Sequence, residues 1–303
     1  MEITTQSLAS VKRGLQKLFD KSYQGIADPW WKLLALLTTS TGADEEYHWL
    51  GAIPGLRELV GEITVKNLLR HGYTIKNKEW EDTIGIKRKD IERDALGVYD
   101  PLIAAMAEQA AYQPGELVAQ LLVNGFTDTD YTGSAFFASG KKAHAKATAF
   151  SNVGTKKLSQ ANYRIGRSNL VGRLNAEGKA MRLGVNLQLV VSPTYESTAK
   201  EITTAERLAN GGTNIDRGTA TVMVLPELLA LGAEHAWFLI EAGKSMKPLI
   251  VQTEKLPTTA MVTNPDDSHV VKNQEFIYQV YARHNAGYGL PEFAYGNDGS
   301  AAA

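Results

Sequence analysis

Residues 47–96 read YHWLGAIPGLRELVGEITVKNLLRHGYTIKNKEWEDTIGIKRKDIERDAL, and they constrain the fold more than any other stretch. Within them, 73–77 and 80–87 alternate as β-strands do and are expected to form a hairpin joined across 77–79. In the second strand Trp80, Ile84 and Ile86 point one way, with Asp82 the exception among them. Glu79, Glu81, Thr83 and Lys87 point the other. Residues 64–70 are more helix-like, with Val65, Leu68 and Leu69 on one side. A hairpin that is apolar on one face needs a surface to lie on. Too little of the nearby sequence provides one, so the stretch reads as an arm that docks on another copy of the chain. It holds no nucleophile–base pair and no metal-ligand cluster.

The remainder reads as an α+β chain. Leu8, Val11, Leu15 and Leu18 make 3–20 an amphipathic helix, expected to pack on its own domain rather than on a neighbour. Pro29 and two adjacent tryptophans, Trp30 and Trp31, follow. Asp100-Pro101 starts a long helix reaching about Val123, with Pro in its first turn. Pro114 predicts either a kink or two helices in line. Residues 127–154 are loop-like, 158–174 helical, and 187–192 a buried strand ended by Pro193. A helix over 193–210 and a flexible tip at 211–214 come next, then strands at 219–225, 236–241 and 248–252. The last strand, 274–286, presents Phe276, Tyr278 and Tyr281 as an aromatic face. The tail beyond it is expected to fray.

Chemistry is sparse. The chain has no cysteine, which excludes disulfides and thiolate chemistry, and its six histidines show no helical metal spacing. No nucleophile elbow, phosphate loop or dinucleotide fingerprint occurs. Asp90, Glu92 and Asp94 alternate but lack the remaining positions of a calcium loop. The reading is therefore no enzyme, no cofactor and no metal. No apolar run spans a bilayer and no signal-peptide core opens the sequence, so a soluble, unsecreted chain is expected. Net charge is −1, yet ten of the 32 Lys and Arg fall within 137–188 against one acid, Glu177, which leaves the remainder acidic. Lys141, Lys142, Lys146, Arg164, Arg167 and Arg173 are the candidates in that basic segment. They would either contact phosphate or dock against the acids of neighbouring copies, such as Asp44, Glu45, Glu46 and those of 79–82 and 90–94. Opposed charge on one chain suits head-to-tail assembly into rings.

WLGAIPGLRELVG, then HGYTIKNKEWEDTIGIKRKDIERDALGVYDP, resemble the major head subunit of phage Mu and Mu-like prophages, the gpT family. The resemblance continues through AAYQPGELVAQLL, the Phe136-Phe137 pair with His144 after it, LGVNLQLVVSP, ATVMVLPEL, AWFLIE and KPLIVQTEKLP. These blocks cover most of the chain in family order. The basic region 138–154 departs, since the family often carries an acid and His-Pro there.

The resemblance implies a capsid protein of the Hong Kong 97 type. Its parts would be an N-terminal arm at 1–41, the E-loop region at 47–91 and a P-domain at 92–184 with its spine helix at 101–123. An A-domain would follow at 185–250, with 251–303 returning to the P-domain. The implied function is the head protein of a tailed Mu-like phage, assembling through hexamers and pentamers into an icosahedral shell around double-stranded DNA. Scaffold and portal proteins would be its partners. It would be made in the host cytoplasm and end in the virion, held there without covalent cross-links between copies. Candidate inter-subunit contacts are Trp49, Tyr73, Lys76, Trp80, Glu81, Asp82, Ile84 and Ile86. The alternatives are an encapsulin-like cargo compartment of the same fold, or a nucleic-acid-binding module using 137–188.

Overall fold

The computed structural model describes residues 2–26, 29–50, 72–142, 148–175, 178–208 and 211–302. Helix α1 (Thr5–Gly25) opens with a reciprocal cap, in which the Thr4 side chain accepts from the Ser7 amide and Ser7 from the Thr4 amide. It buries Leu8, Val11, Leu15 and Phe19, so Phe19 takes the place expected of Leu18. The next elements are the single turn α2 (Trp31–Leu34) and strands β1 (Ala35–Thr39), β2 (Asp44–Glu46), β3 (Thr74–Lys76) and β4 (Lys78–Lys87). Short helix α3 (Arg88–Glu92) leads to the long helix α4 (Asp100–Asn124). Then come β5 (Val153–Lys156), α5 (Gln160–Val171), β6 (Leu187–Val191), α6 (Glu196–Thr203), β7 (Thr221–Val224) and α7 (Pro226–Ala230). Strands β8 (Trp237–Glu241) and β9 (Leu249–Met261), helix α8 (Ser268–Asn273) and strands β10 (Glu275–Tyr288) and β11 (Ala294–Ala301) complete the order.

Two sheets organise these elements. One runs β1-β9-β10-β4 and the other β5-β11-β8-β6-β7, while β2 and β3 form a separate antiparallel pair. In β6 and β8 every residue is buried. Val190, Phe238 and Ile240 face α4 and the Phe136-Phe137 pair. Leu187, Leu189, Val191, Trp237 and Leu239 face Tyr163 and Leu170 of α5 and Ala199 and Ile202 of α6. Burial on both faces is why these two strands read as continuous apolar runs.

Helix α4 is one continuous helix with Pro114 inside it. Its first half gives Ile103, Met106 and Ala107 to a core shared with α1, β4 and β10. Its second half gives Leu117, Val118 and Leu122 to the sheet core. Between them Gly115 accommodates the two tryptophans. A Cβ there would lie 3.1 Å from the Trp31 ring and 3.2 Å from that of Trp30.

Several expectations are corrected. The strands at 73–77 and 80–87 do not pair with each other. β3 pairs with β2, while β4 pairs along its whole length with β10, nearly 200 residues later in the chain. The surface that the apolar face of β4 needs is therefore supplied by its own chain. The tail is not frayed, because β11 lies between β5 and β8 with Ala294, Tyr295, Gly296 and Asn297 buried. The sheet of the expected 185–250 unit thus takes two strands from outside it. The helix expected over 193–210 is confined to a 3-10 turn and α6, and the strand expected at 248–252 runs on to Met261. Tyr281 lies on the opposite face of β10 from buried Phe276 and Tyr278. The helix expected at 64–70 lies outside the described residues.

Candidate inter-subunit surface

Strands β2 and β3 stand on either side of 47–73 in the chain and pair Asp44↔Lys76, Glu45↔Ile75 and Glu46↔Thr74, as two feet of that stretch. The feet are fixed from below by Gln252 on β9, which is fully buried. Its Oε1 accepts the Tyr47 hydroxyl at 2.8 Å. Its Nε2 donates to Asn77 Oδ1 at 2.8 Å and to the Ile75 carbonyl at 3.2 Å. Asn77 in turn donates to the Gly42 carbonyl at 2.7 Å and to Ser40 Oγ at 3.0 Å. One buried amide thereby ties both feet to the sheet, with its polar groups satisfied.

Tyr73 secures the second foot. Its hydroxyl accepts the Tyr288 amide at 2.8 Å, and burial pushes its pKa up to about 12. Ile75 packs so closely on β10 that a Cβ at Gly287 would sit 2.5 Å from its Cδ1. Trp49 is half-buried and meets Tyr47 edge to face at 6.1 Å. Sequence reasoning missed Gln252 and Asn77. The available signal was a lone amide ending the apolar run PLIVQ.

The candidate contacts divide accordingly. Ile86 is fully buried in the core beneath α1 and α4, and Ile84 packs on that core. Trp80 donates its ring N–H to the His284 carbonyl at 2.9 Å and stacks on the His284 ring at 5.8 Å. All three sit on β4 where it pairs with β10; burial withdraws Ile86 from any docking surface, while Trp80 and Ile84 stay partly exposed. Lys76, Glu81 and Asp82 are exposed, as are Asp44 and Glu46. Asp82, Glu81 and Glu116 also line a small cleft between β4 and α4. The three alternating acids at 90–94 form no cation site, since Asp90 accepts the Tyr99 hydroxyl at 2.8 Å and Glu92 pairs with Arg88 at 3.2 Å. Among the described residues no group of three or more His, Asp or Glu can hold a metal ion. No helix among them is long and apolar enough to cross a membrane.

The basic segment is not one surface. Lys141 is enclosed against Asp130 at 2.7 Å. Arg173 is buried, donating to the carbonyls of Glu292 at 2.6 Å and Ala294 at 3.1 Å, with its guanidinium over Phe150 at 5.0 Å. Burial lowers its pKa to about 10. Both cations serve the interior, which removes them from any phosphate-contacting face. Arg164 pairs with Asp216 at 2.8 Å while remaining half open to water. Arg167 is half-buried and Lys142 exposed, and Lys146 lies outside the described residues.

The model of the family described as Mu-like prophage major head subunit gpT matches residues 8–163, 148–228 and 229–302. The Mu-like prophage FluMu major head subunit of Haemophilus influenzae is 29% identical over 270 residues, 89% of this chain and 66% of that protein. The major capsid protein of Escherichia phage Mu is 28% identical over 294 residues, 97% of this chain and 74% of that one. The chain therefore spans between about two thirds and three quarters of the length of these relatives. Among solved structures, a chain of the procapsid of bacteriophage JBD30 matches with a TM-score of 0.63 at 27% identity, over 97% of this chain and 76% of that one. A virus-like particle from Pyrococcus furiosus, at 12% identity and a TM-score of 0.54 over 95% of this chain and 99% of that one, is alike in fold alone.

Proposed function

The chain belongs to the Mu-like prophage major head subunit gpT family, with the α+β capsid fold of the Hong Kong 97 type, and from that premise we infer that it builds an icosahedral phage head. Copies join through hexamers and pentamers into a shell that encloses double-stranded DNA, with scaffold and portal proteins as assembly partners. The shell is assembled in the host cytoplasm. Helix α4 serves as the spine, and 47–91 is the region that reaches a neighbouring copy. Its work is non-covalent joining rather than catalysis.

The observation that carries this reading is the pair of feet locked by Gln252. Hydrogen bonds from Gln252 fix the described ends of the stretch, Tyr47 and the strand before Asn77, and fixed ends lower the ordering cost of docking on a neighbour. The exposed acids on the feet, Asp44 and Glu46, give the contact a charge that cations elsewhere on the chain complement. Replacing 51–71 by a short glycine linker tests the assignment. The shortened chain should keep its cooperative unfolding transition and yet form no particles when produced with its assembly partners. A normal particle yield would refute it.

A further inference from the structure

Asp130 and Lys141 form an ion pair whose two side chains have no exposure at all. Arg164–Asp216 and Arg283–Glu254, by contrast, each keep a cation open to water. Burying two charges together is rarely favourable on its own account, because desolvation offsets most of their attraction. The groups around this pair are arranged for more than neutralisation. Asp130 Oδ1 receives the Thr132 amide at 2.8 Å and the Thr132 hydroxyl at 2.6 Å. On the other side Lys141 Nζ sits 2.7 Å from Asp130 Oδ2 and donates to the Ala135 carbonyl at 2.6 Å. The backbone of Lys141 is held by two bonds to Phe150, and Asp130 heads a turn closed by its amide bond to the Ser134 carbonyl. An unexposed nucleophile and electrophilic carbon thus lie together, with two half-buried donors aimed at one oxygen. That is the constellation of an acyl-transfer site.

We propose that Lys141 and Asp130 condense into an intramolecular isopeptide bond that rivets 127–137 to 138–142 next to the Phe136-Phe137 core. The ammonium proton passes to Oδ2, leaving a neutral amine beside a carboxylic acid. The Nζ lone pair attacks Cγ, and negative charge builds on Oδ1, where the two Thr132 donors already point. Oδ2 then leaves as water, carrying the acid proton and one amine proton, and the remaining N–H belongs to the new amide. One Nζ–Cγ bond forms, one C–O bond breaks and one water departs, with no oxidant or co-reactant. Burial pushes the Lys141 amine below the usual lysine range, against the opposing pull of Asp130 and Glu292, which favours the uncharged nucleophile. Enclosure also keeps water from reversing the step.

Mass spectrometry of the denatured full chain tests this. The mass should fall one water below that of the sequence, and digestion should release a peptide linking Asp130 to Lys141. Lys141→Arg keeps the cation but cannot condense, so it should show the full sequence mass. Thr132→Val removes the hydroxyl donor and should leave an unreacted fraction in freshly made protein that shifts to the lighter mass with time. A wild-type chain at full mass overturns the proposal and leaves a buried ion pair. The same water loss in Lys141→Arg overturns it as well, by placing the loss elsewhere. Complete reaction of fresh Thr132→Val overturns the part assigned to Thr132.

Discussion

Gln252 shows how one side chain can set the geometry of a distant segment. It has no surface exposure, yet three of its hydrogen bonds reach Tyr47, Ile75 and Asn77, on both feet of 47–73. Gln252→Ala would leave the Ile75 carbonyl without this donor and Tyr47 with Thr38 alone, at a cost of about 2 kcal/mol. Urea unfolding should report that loss, and hydrogen exchange should show faster opening at 44–46 and 74–76 than elsewhere. His284 makes a second prediction. It is buried beneath Trp80 and bonded through Nε2 to Gln113, and desolvation lowers its pKa to about 4. Because the folded value lies below the unfolded one near 6.5, its neutral form contributes stability that is fully present above about pH 6.5. That contribution declines as pH falls from there towards 4, by about 3 kcal/mol in all. Unfolding free energies at pH 7 and pH 4.5 should differ less in His284→Gln than in the parent chain. Equal differences in both would contradict the assignment.

At the scale of elements, β11 carries the sharpest prediction. It is an internal strand between β5 and β8, so a chain ending before Ala294 would expose the edge of β8 and lose buried Tyr295 and Asn297. Such a chain should lose its cooperative melting transition and most of its soluble yield. An unchanged melt would show that β11 is dispensable. This strand also marks the limit of what the sequence reveals. AYGNDGSAAA has the small and polar composition of a loose end, and only its neighbours in the sheet make it a strand. Helix α4 was legible because Pro101 and the apolar spacing of Ile103, Met106, Leu117 and Leu122 are local signals. β6 and β8 were legible because burial on both faces leaves unbroken apolar runs. The partner of β4 was not legible. Pairing with β10 is decided across nearly 200 residues, and adjacency in sequence favoured β3 instead. The same long range hid Gln252, whose role exists only once β9 lies beneath the feet. In the basic segment, composition registered the positive charge of Lys141 and Arg173 but not their enclosure.

Over the whole molecule, α4 joins two cores, the β9–β10 pair carries the feet of 47–73, and the five-stranded sheet closes with the last strand of the chain. On the proposed reading, the fixed feet are where the docking segment of a shell subunit is anchored. The proposed contact between exposed acids on the feet and exposed cations such as Lys142 and Arg164 would have a salt-dependent component. Particles should accordingly dissociate more readily as ionic strength rises, as light scattering would record. The most direct test of the central claim is electron microscopy of the full chain produced with its assembly partners. Closed particles whose lattice resolves into hexamers and pentamers of this chain are the predicted result. A chain that stays monomeric under those conditions, with no particles on the grid, would contradict the account.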